Sequence, residues 1–253
     1  INGTKVSNFY INGSKVNGFA KNGEIVFKRE GDTVAPAYNS LGIVRNNNAG
    51  ETRDTHYAKI GDSVRVLIYF SEQLAVEPKV KIANKEYTAT YRPLSSSNGL
   101  FAYYADCDLT EDLHLAVGEI QIEVYGYADS SGNVGVKLTN ADINNSAHEY
   151  VIFDDIPPEI TIKDGENETV GDATNGYSKI SFKIYDNVAL AGYTVNGVNG
   201  GTVSQSQWGD INNITKEFKG CKEGNNILIL KDMSGNEAVS YTHLRAHETG
   251  AYL

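Results

Sequence analysis

Glu119-Ile120-Gln121-Ile122-Glu123-Val124-Tyr125-Gly126-Tyr127 alternates polar and apolar side chains, and Asp129-Ser130-Ser131-Gly132-Asn133 follows closely. Successive strand residues point to opposite sides of a sheet, so Ile120, Ile122 and Val124 share one face and predict a half-buried strand. The segment after it predicts a turn, because Asp caps its own backbone while Gly-Asn tolerates positive φ. The same closing signal recurs as Asp232-Met233-Ser234-Gly235-Asn236. Each copy ends a β-rich run opened by an acidic, Pro-bearing segment: Asp32-Thr33-Val34-Ala35-Pro36 for the first, Asp154-Asp155-Ile156-Pro157-Pro158 for the second. Two copies of one plan predict tandem all-β units.

Between these markers the strand signals are short and regularly spaced. Ser63-Val64-Arg65-Val66-Leu67-Ile68-Tyr69-Phe70 turns from alternating to continuously apolar, as a central strand does. Lys79–Ile82, Glu86–Tyr91, Leu100–Ala105 and Val134–Leu138 continue the first unit. Thr110–Leu115 offers at most one helical turn, and Asn140–Ala147 reads as a polar loop. Glu159–Ile162, Lys179–Tyr185, Ala191–Asn196, Ile214–Phe218 and Asn226–Leu230 build the second unit, with a turn at Asn196-Gly197. Short strands, frequent turns and no long helix predict β-sandwiches. Ahead of them, Ile1-Asn2-Gly3-Thr4-Lys5-Val6 recurs as Ile11-Asn12-Gly13-Ser14-Lys15-Val16 and more loosely at Lys21-Asn22-Gly23-Glu24-Ile25-Val26. Asn-Gly suits type I′ hairpin turns, so residues 1–31 predict a small β-meander that needs a neighbour for stability. The expected organisation is a meander at 1–31, one sandwich at 32–153 and a second at 154–238.

The remaining residues, 239–253, read as an artefact. Val239 to Thr249 corresponds residue by residue to a translated sequencing adapter, a transposase mosaic end with its primer extension. With Ile1 at the start and Met233 the single methionine, the chain reads as a metagenomic gene fragment open at both ends, its second unit lacking its natural last strand. The net charge of −10 argues against nucleic acid, which needs clustered Lys and Arg. No apolar run approaches the roughly 20 residues that cross a bilayer. Cys107 and Cys221 fall one to each unit, so neither unit contains an internal disulfide.

The second unit resembles bacterial immunoglobulin-like modules of surface and secreted proteins. Its acidic Pro-containing entry segment, Tyr185-Asp186-Asn187-Val188-Ala189-Leu190, Lys222-Glu223-Gly224-Asn225-Asn226 and the Asp232–Asn236 turn resemble that family's turns in order and spacing. The resemblance covers residues 32 to about 238. It implies an immunoglobulin-like fold and service as a spacer or adhesive domain on the bacterial cell surface, or beside a catalytic domain. The fold alone does not choose among these uses.

Two sets of residues carry candidate chemistry. Asp154, Asp155, Asp186, Asp232 and Asn236 lie at strand ends or in the linker, and Ca²⁺ takes six to eight oxygen ligands. Linker calcium of this kind is implied by related tandem modules in giant adhesins. The alternative is that these acids only cap their own turns, none of which has EF-hand spacing. Tyr103, Tyr104, Tyr125, Tyr127, Tyr193 and Trp208 could form a flat platform for sugar rings, with Tyr103, Tyr125, Tyr127 and Trp208 the leading candidates; the alternative is core packing. His56, His114 and His148 lack metal or triad spacing, and the acidic pairs lack a cleft, so no enzyme is expected. The expected role is a non-catalytic, extracellular spacer or adhesive region whose partners are neighbouring domains. The alternatives are a carbohydrate- or host-protein-binding module and an accessory region of a glycan-degrading enzyme.

Overall fold

A computed structural model describes residues 9–11, 14–16, 18–21, 24–28, 32–47, 51–93, 99–143, 150–161, 170–172, 177–202, 214–221 and 224–244. The described residues are almost purely β, with two 3₁₀ turns at Glu111–Leu113 and Asn140–Asp142. At the start, Phe9–Ile11 pairs with Ser14–Val16, and Gly18–Lys21 with Glu24–Lys28. Among the described residues these form two hairpins, each a two-stranded sheet.

Ser63–Phe70 is central, as its apolar run requires: Tyr38–Arg45 lies on one side and Phe101–Asp108 on the other, both antiparallel. Thr90–Arg92 completes that sheet. Lys79–Ile82, Lys85–Thr88, Ile122–Tyr125 and Leu138–Thr139 form a second sheet. Leu41, Ile43, Val64, Val66, Ile68 and Phe70 from the first sheet share one core with Val80, Ile82, Ile122, Val124 and Leu138 from the second. The expected strand Glu86–Tyr91 is split. Ala89, wholly buried, donates its N–H to Pro78 O at 2.9 Å, and there the chain leaves one sheet for the other. The expected strand 119–127 is split too: Gly118–Glu119 pairs with Ile152–Phe153, whereas Ile122–Tyr125 pairs with Lys79–Ile82.

Beyond Asp154 two further antiparallel sheets follow. Tyr177–Tyr185 pairs with Glu159–Thr161, Val170–Asp172 and Ile214–Cys221. Leu190–Val195 pairs with Val198–Thr202 and Gly224–Asp232. The Asn196-Gly197 turn has φ of 52° and 79°, the two positive values a type I′ hairpin demands. Glu237–Leu244, mostly within the adapter-like stretch, pairs along Gly224–Asp232 in unbroken register. Val239 and Tyr241 nevertheless face solvent, so this strand completes the backbone ladder without an apolar contribution from its two largest described side chains.

Between the two pairs of sheets lies a short parallel pairing: Ile152–Phe153 runs beside Tyr57–Ala58. Ile152 N donates to His56 O and Asp154 N to Ala58 O, each at 2.8 Å. Ile152, Val188 and Ala189 form a small junction core against Tyr57, Tyr150 and Met233. Asp154 is thereby fixed at the entry to the second pair of sheets.

Candidate metal centre at the junction

Three of the five sequence-level cation candidates converge here. Asp154, Asp186 and Asp232 are each buried, at 0%, 3% and 2% exposure, and offer carboxylate oxygens within 4.8 Å of one another. Each comes from a strand end: Asp154 follows Ile152–Phe153, Asp186 follows Tyr177–Tyr185, and Asp232 ends Gly224–Asp232.

One oxygen of each acid does the turn-capping work. Asp154 Oδ1 accepts from Ile156 N at 3.1 Å and from Asn187 Nδ2 at 3.0 Å. Asp186 Oδ1 accepts from Val188 N at 2.9 Å and Ala189 N at 2.5 Å. Asp232 Oδ1 accepts from Asn236 N at 2.7 Å. The other oxygens differ. Asp232 Oδ2 accepts from Asn236 Nδ2 at 2.8 Å, but Asp154 Oδ2 and Asp186 Oδ2 are buried without a hydrogen-bond partner. Capping takes Oδ1 of each acid and leaves Oδ2 of Asp154 and Asp186 unpartnered.

Asn236 sits behind the acids. Its Nδ2 reaches Asp154 O at 2.9 Å, tying the closing turn to the entry segment. Asp155 lies outside the group; it is exposed, and its Oδ1 accepts from Ile60 N at 3.3 Å.

Burial raises the carboxyl pKa of Asp154 and Asp186, and the neighbouring acids push in the same direction. Asp232 is pushed up to about 7, by burial first and by Asp186 and Asp154 next. A buried charge is costly unless paired, and the two orphaned oxygens lie beside a third carboxylate in a group that could hold a cation. An all-oxygen, carboxylate-rich donor set suits a hard divalent cation such as Ca²⁺.

The first pair of sheets holds a near-copy of the turn with the opposite electrostatics. Asn133 N donates to Asp129 Oδ1 at 2.9 Å, and Asn133 Nδ2 to Asp129 Oδ2 and Asp32 O at 2.7 and 2.8 Å. Val34 N donates to Asp32 Oδ1 at 3.0 Å, as Ile156 N does to Asp154. Asp32 and Glu72 gather round Asp129, yet Asp32 is exposed and Glu72 half-buried. Burial opposes ionisation of Asp129, but Asn133 and the turn N–H groups outweigh it and lower its pKa. Two acidic clusters could thus draw a divalent cation, and the orphaned oxygens belong to the junction cluster.

The aromatic candidates do not assemble into a platform among the described residues. Tyr103 is 1% exposed and its hydroxyl accepts from Leu74 N at 2.9 Å. Tyr127 is wholly buried; its ring covers Gly135 and its hydroxyl donates to Val136 O at 2.8 Å. Tyr125 reaches the surface and donates to Glu86 Oε2 at 2.6 Å. Tyr104 lies between the guanidinium groups of Arg65 and Arg92, each 5.5 Å from its ring. Trp208 lies outside the described residues.

Two residues at the junction carry no signal in the sequence. Arg53 and Lys59 sit in an irregular charged loop, yet Arg53 Nη1 donates to Ser234 O and Lys59 Nζ to Gly235 O at 2.6 Å. Beside them a cleft of about 1110 Å³ opens between residues 51–59 and the sheet containing Tyr193 and Lys231.

No protein-family model matches the chain, and no curated protein matches it. Among solved structures it is similar to the fibronectin(III)-like modules of Clostridium thermocellum CbhA, at 14% identity over 79% of this chain and 90% of that one, with a TM-score of 0.36. It is also similar to a chimeric titin Z1Z2-Z1Z2 tandem carrying a GRGDS peptide from fibronectin, at 11% identity over 81% and 96% of the two chains, with a TM-score of 0.22. Likenesses this distant carry no argument about function. No helix among the described residues is long and apolar enough to cross a membrane.

Proposed function

We propose that the chain is a non-catalytic pair of immunoglobulin-like modules, 32–153 and 154–238, from an extracellular bacterial surface protein, and that a divalent cation, Ca²⁺ first among them, closes the junction between them. The carrying observation is the pair of buried, unpartnered oxygens on Asp154 and Asp186, set beside Asp232 at the start of the second module. Asp154, Asp186 and Asp232 would ligate the ion, and Asn236 would hold two of them in place. The bound ion would supply the positive charge that three buried carboxylates need.

A spacer role accords with where these residues lie. The acids tie the entry segment to two turns at the junction-facing end of the following module, which is where a tandem array would resist bending. Cys107 supports the non-catalytic reading: it is buried, its thiol contacts Tyr87 Oη at 3.0 Å, and burial raises its pKa, the reverse of an activated nucleophile.

Calorimetric titration of the chelator-treated chain with CaCl₂, alongside melting curves with and without EGTA, tests this. Saturable binding and a higher midpoint with Ca²⁺ are expected, because a ligand that binds only the folded state stabilises it. No binding heat and an unchanged midpoint overturn the cation reading.

A further inference from the structure

We infer that Arg53 and Lys59 regulate the junction cation site from the preceding module, so that module docking and cation binding form one linked equilibrium. The inference rests on the cation reading above and concerns what controls that site.

Arg53 is fixed before it crosses the junction. Its Nη1 and Nη2 contact Asp62 at 3.0 and 2.5 Å, and its Nε contacts Glu51 Oε1 at 2.7 Å. The loop that carries it is held by buried Arg45, whose Nη2 donates to Arg53 O at 2.9 Å and whose Nη1 pairs with Glu51 at 3.0 Å. Asp62 also accepts from Lys59 N at 2.9 Å, so one acid sets both cationic residues. The two side chains then donate to consecutive carbonyls, Ser234 and Gly235, in the turn that Asp232 opens and Asn236 closes. Gly235 has φ of +84°, and a Cβ there would come within 2.9 Å of Arg53 Cδ. The absence of a side chain lets the guanidinium lie against the turn.

The Asp129–Asn133 turn supplies the internal control. Its Asn133 bonds match those of Asn236, and Ser131 N also donates to Asp129 Oδ1 at 2.8 Å; Ser131 and Gly132 are exposed where Ser234 is buried and Gly235 half-buried. Asp129 and Asp232 are both buried and bonded on both oxygens; the second turn differs in carrying Arg53 and Lys59 on its outer carbonyls. Those two residues hold the turn whose carboxylate faces Asp154 and Asp186, and linkage makes the dependence reciprocal.

Charge and coupling predict opposite results, which makes the test sharp. Removing two positive charges near a dication site raises affinity if through-space electrostatics governs it. Loss of the clasp lowers affinity if docking governs it. Arg53→Gln, Lys59→Gln and the double variant are made in the full chain and titrated with CaCl₂ by calorimetry. The expected result is weakening in the range of about 5- to 150-fold for the double variant and a smaller loss for Lys59→Gln. Hydrogen exchange at the Ile152 and Asp154 amides, which bond to His56 O and Ala58 O beside the junction, should slow on Ca²⁺ addition in the parent chain and less so in the variants. Equal or tighter Ca²⁺ binding by variants that retain the parent's metal-free β-sheet circular dichroism overturns the linkage and leaves the cation site standing. Failure of the parent chain itself to bind Ca²⁺ removes the site, and the linkage with it.

Discussion

Asp186 shows how one side chain can serve local geometry and still leave an atom over. Its Oδ1 takes two backbone N–H groups of the following turn, as a capping Asp does, while Oδ2 is buried with no partner. An Asp186→Asn substitution keeps the caps and deletes one charge from three crowded carboxylates. In chelator the variant should therefore melt higher than the parent, and added Ca²⁺ should move its midpoint far less. A lower metal-free midpoint would show that the acids do not repel in the folded state. The pH dependence follows from the same burial. Asp232 titrates near 7 when folded, against an ordinary value of 3.8, so between these limits the folded state holds a proton that the unfolded state has lost. Metal-free stability should fall as pH rises from about 4 to 7 and level off above it. Saturating Ca²⁺ should reverse the trend, because ligation needs the ionised form. Thermal melts across this pH range, with EGTA and with CaCl₂, read both slopes. The sequence named Asp154, Asp155, Asp186, Asp232 and Asn236 as a group because turn acids are recognisable, and Asp155 is the member the structure leaves outside it. That Asp154 and Asp186 each keep one oxygen unpartnered while Asp232 keeps none depends on contacts that no spacing encodes.

At the scale of strands, Ser63–Phe70 and Lys79–Ile82 were legible because their apolar residues follow the two-residue period of a sheet face. Tyr38–Arg45 was not, since Asn39, Ser40 and Gly42 interrupt its alternation and its pairing slips between Tyr38 and Ser40. The crossing at Ala89 was hidden for a different reason: a buried Ala fits either sheet, and only the tertiary fold shows that the chain changes partner there. Glycine placement carries another element-level consequence. Tyr127 packs on Gly135 and Tyr193 on Gly200, each with its ring where a Cβ would stand. Neither glycine has a positive φ, so steric overlap alone decides their substitution. Gly135→Ala and Gly200→Ala should each cost about 1–3 kcal/mol by overpacking. Tyr127→Phe, which keeps the ring but loses the bond to Val136 O, should cost about 1 kcal/mol. Urea denaturation measures all three, and a neutral Gly135→Ala would mean that the ring moves aside freely.

For the molecule as a whole, the junction decides whether the two pairs of sheets behave as one body. Its apolar part is small: Ile152, Val188 and Ala189, with Tyr57, Tyr150 and Met233 against them. Its polar part is the parallel pairing of Ile152–Phe153 with Tyr57–Ala58, the Arg53–Lys59 clasp and the acidic cluster. Domain interfaces of modest area permit relative motion unless something else fixes them, and on the proposed cation reading the fixing element is electrostatic. Ca²⁺ should therefore act on coupling between the sheet pairs more than on either pair alone. In chelator, calorimetric melting should resolve into two overlapping transitions, since the large core around Phe70 and Ile122 has its own cohesion. With Ca²⁺ the later-sequence pair should melt at a higher temperature, bringing the two transitions together. Ile152→Ala removes a buried junction side chain at a cost of about 2–5 kcal/mol, and it does so at the seam. That variant should keep the first core's transition near its parent temperature and need more Ca²⁺ to merge the two. A single transition in chelator, displaced as a whole by Ile152→Ala, would show instead that the apolar seam alone couples the halves and that the acids are passengers in it.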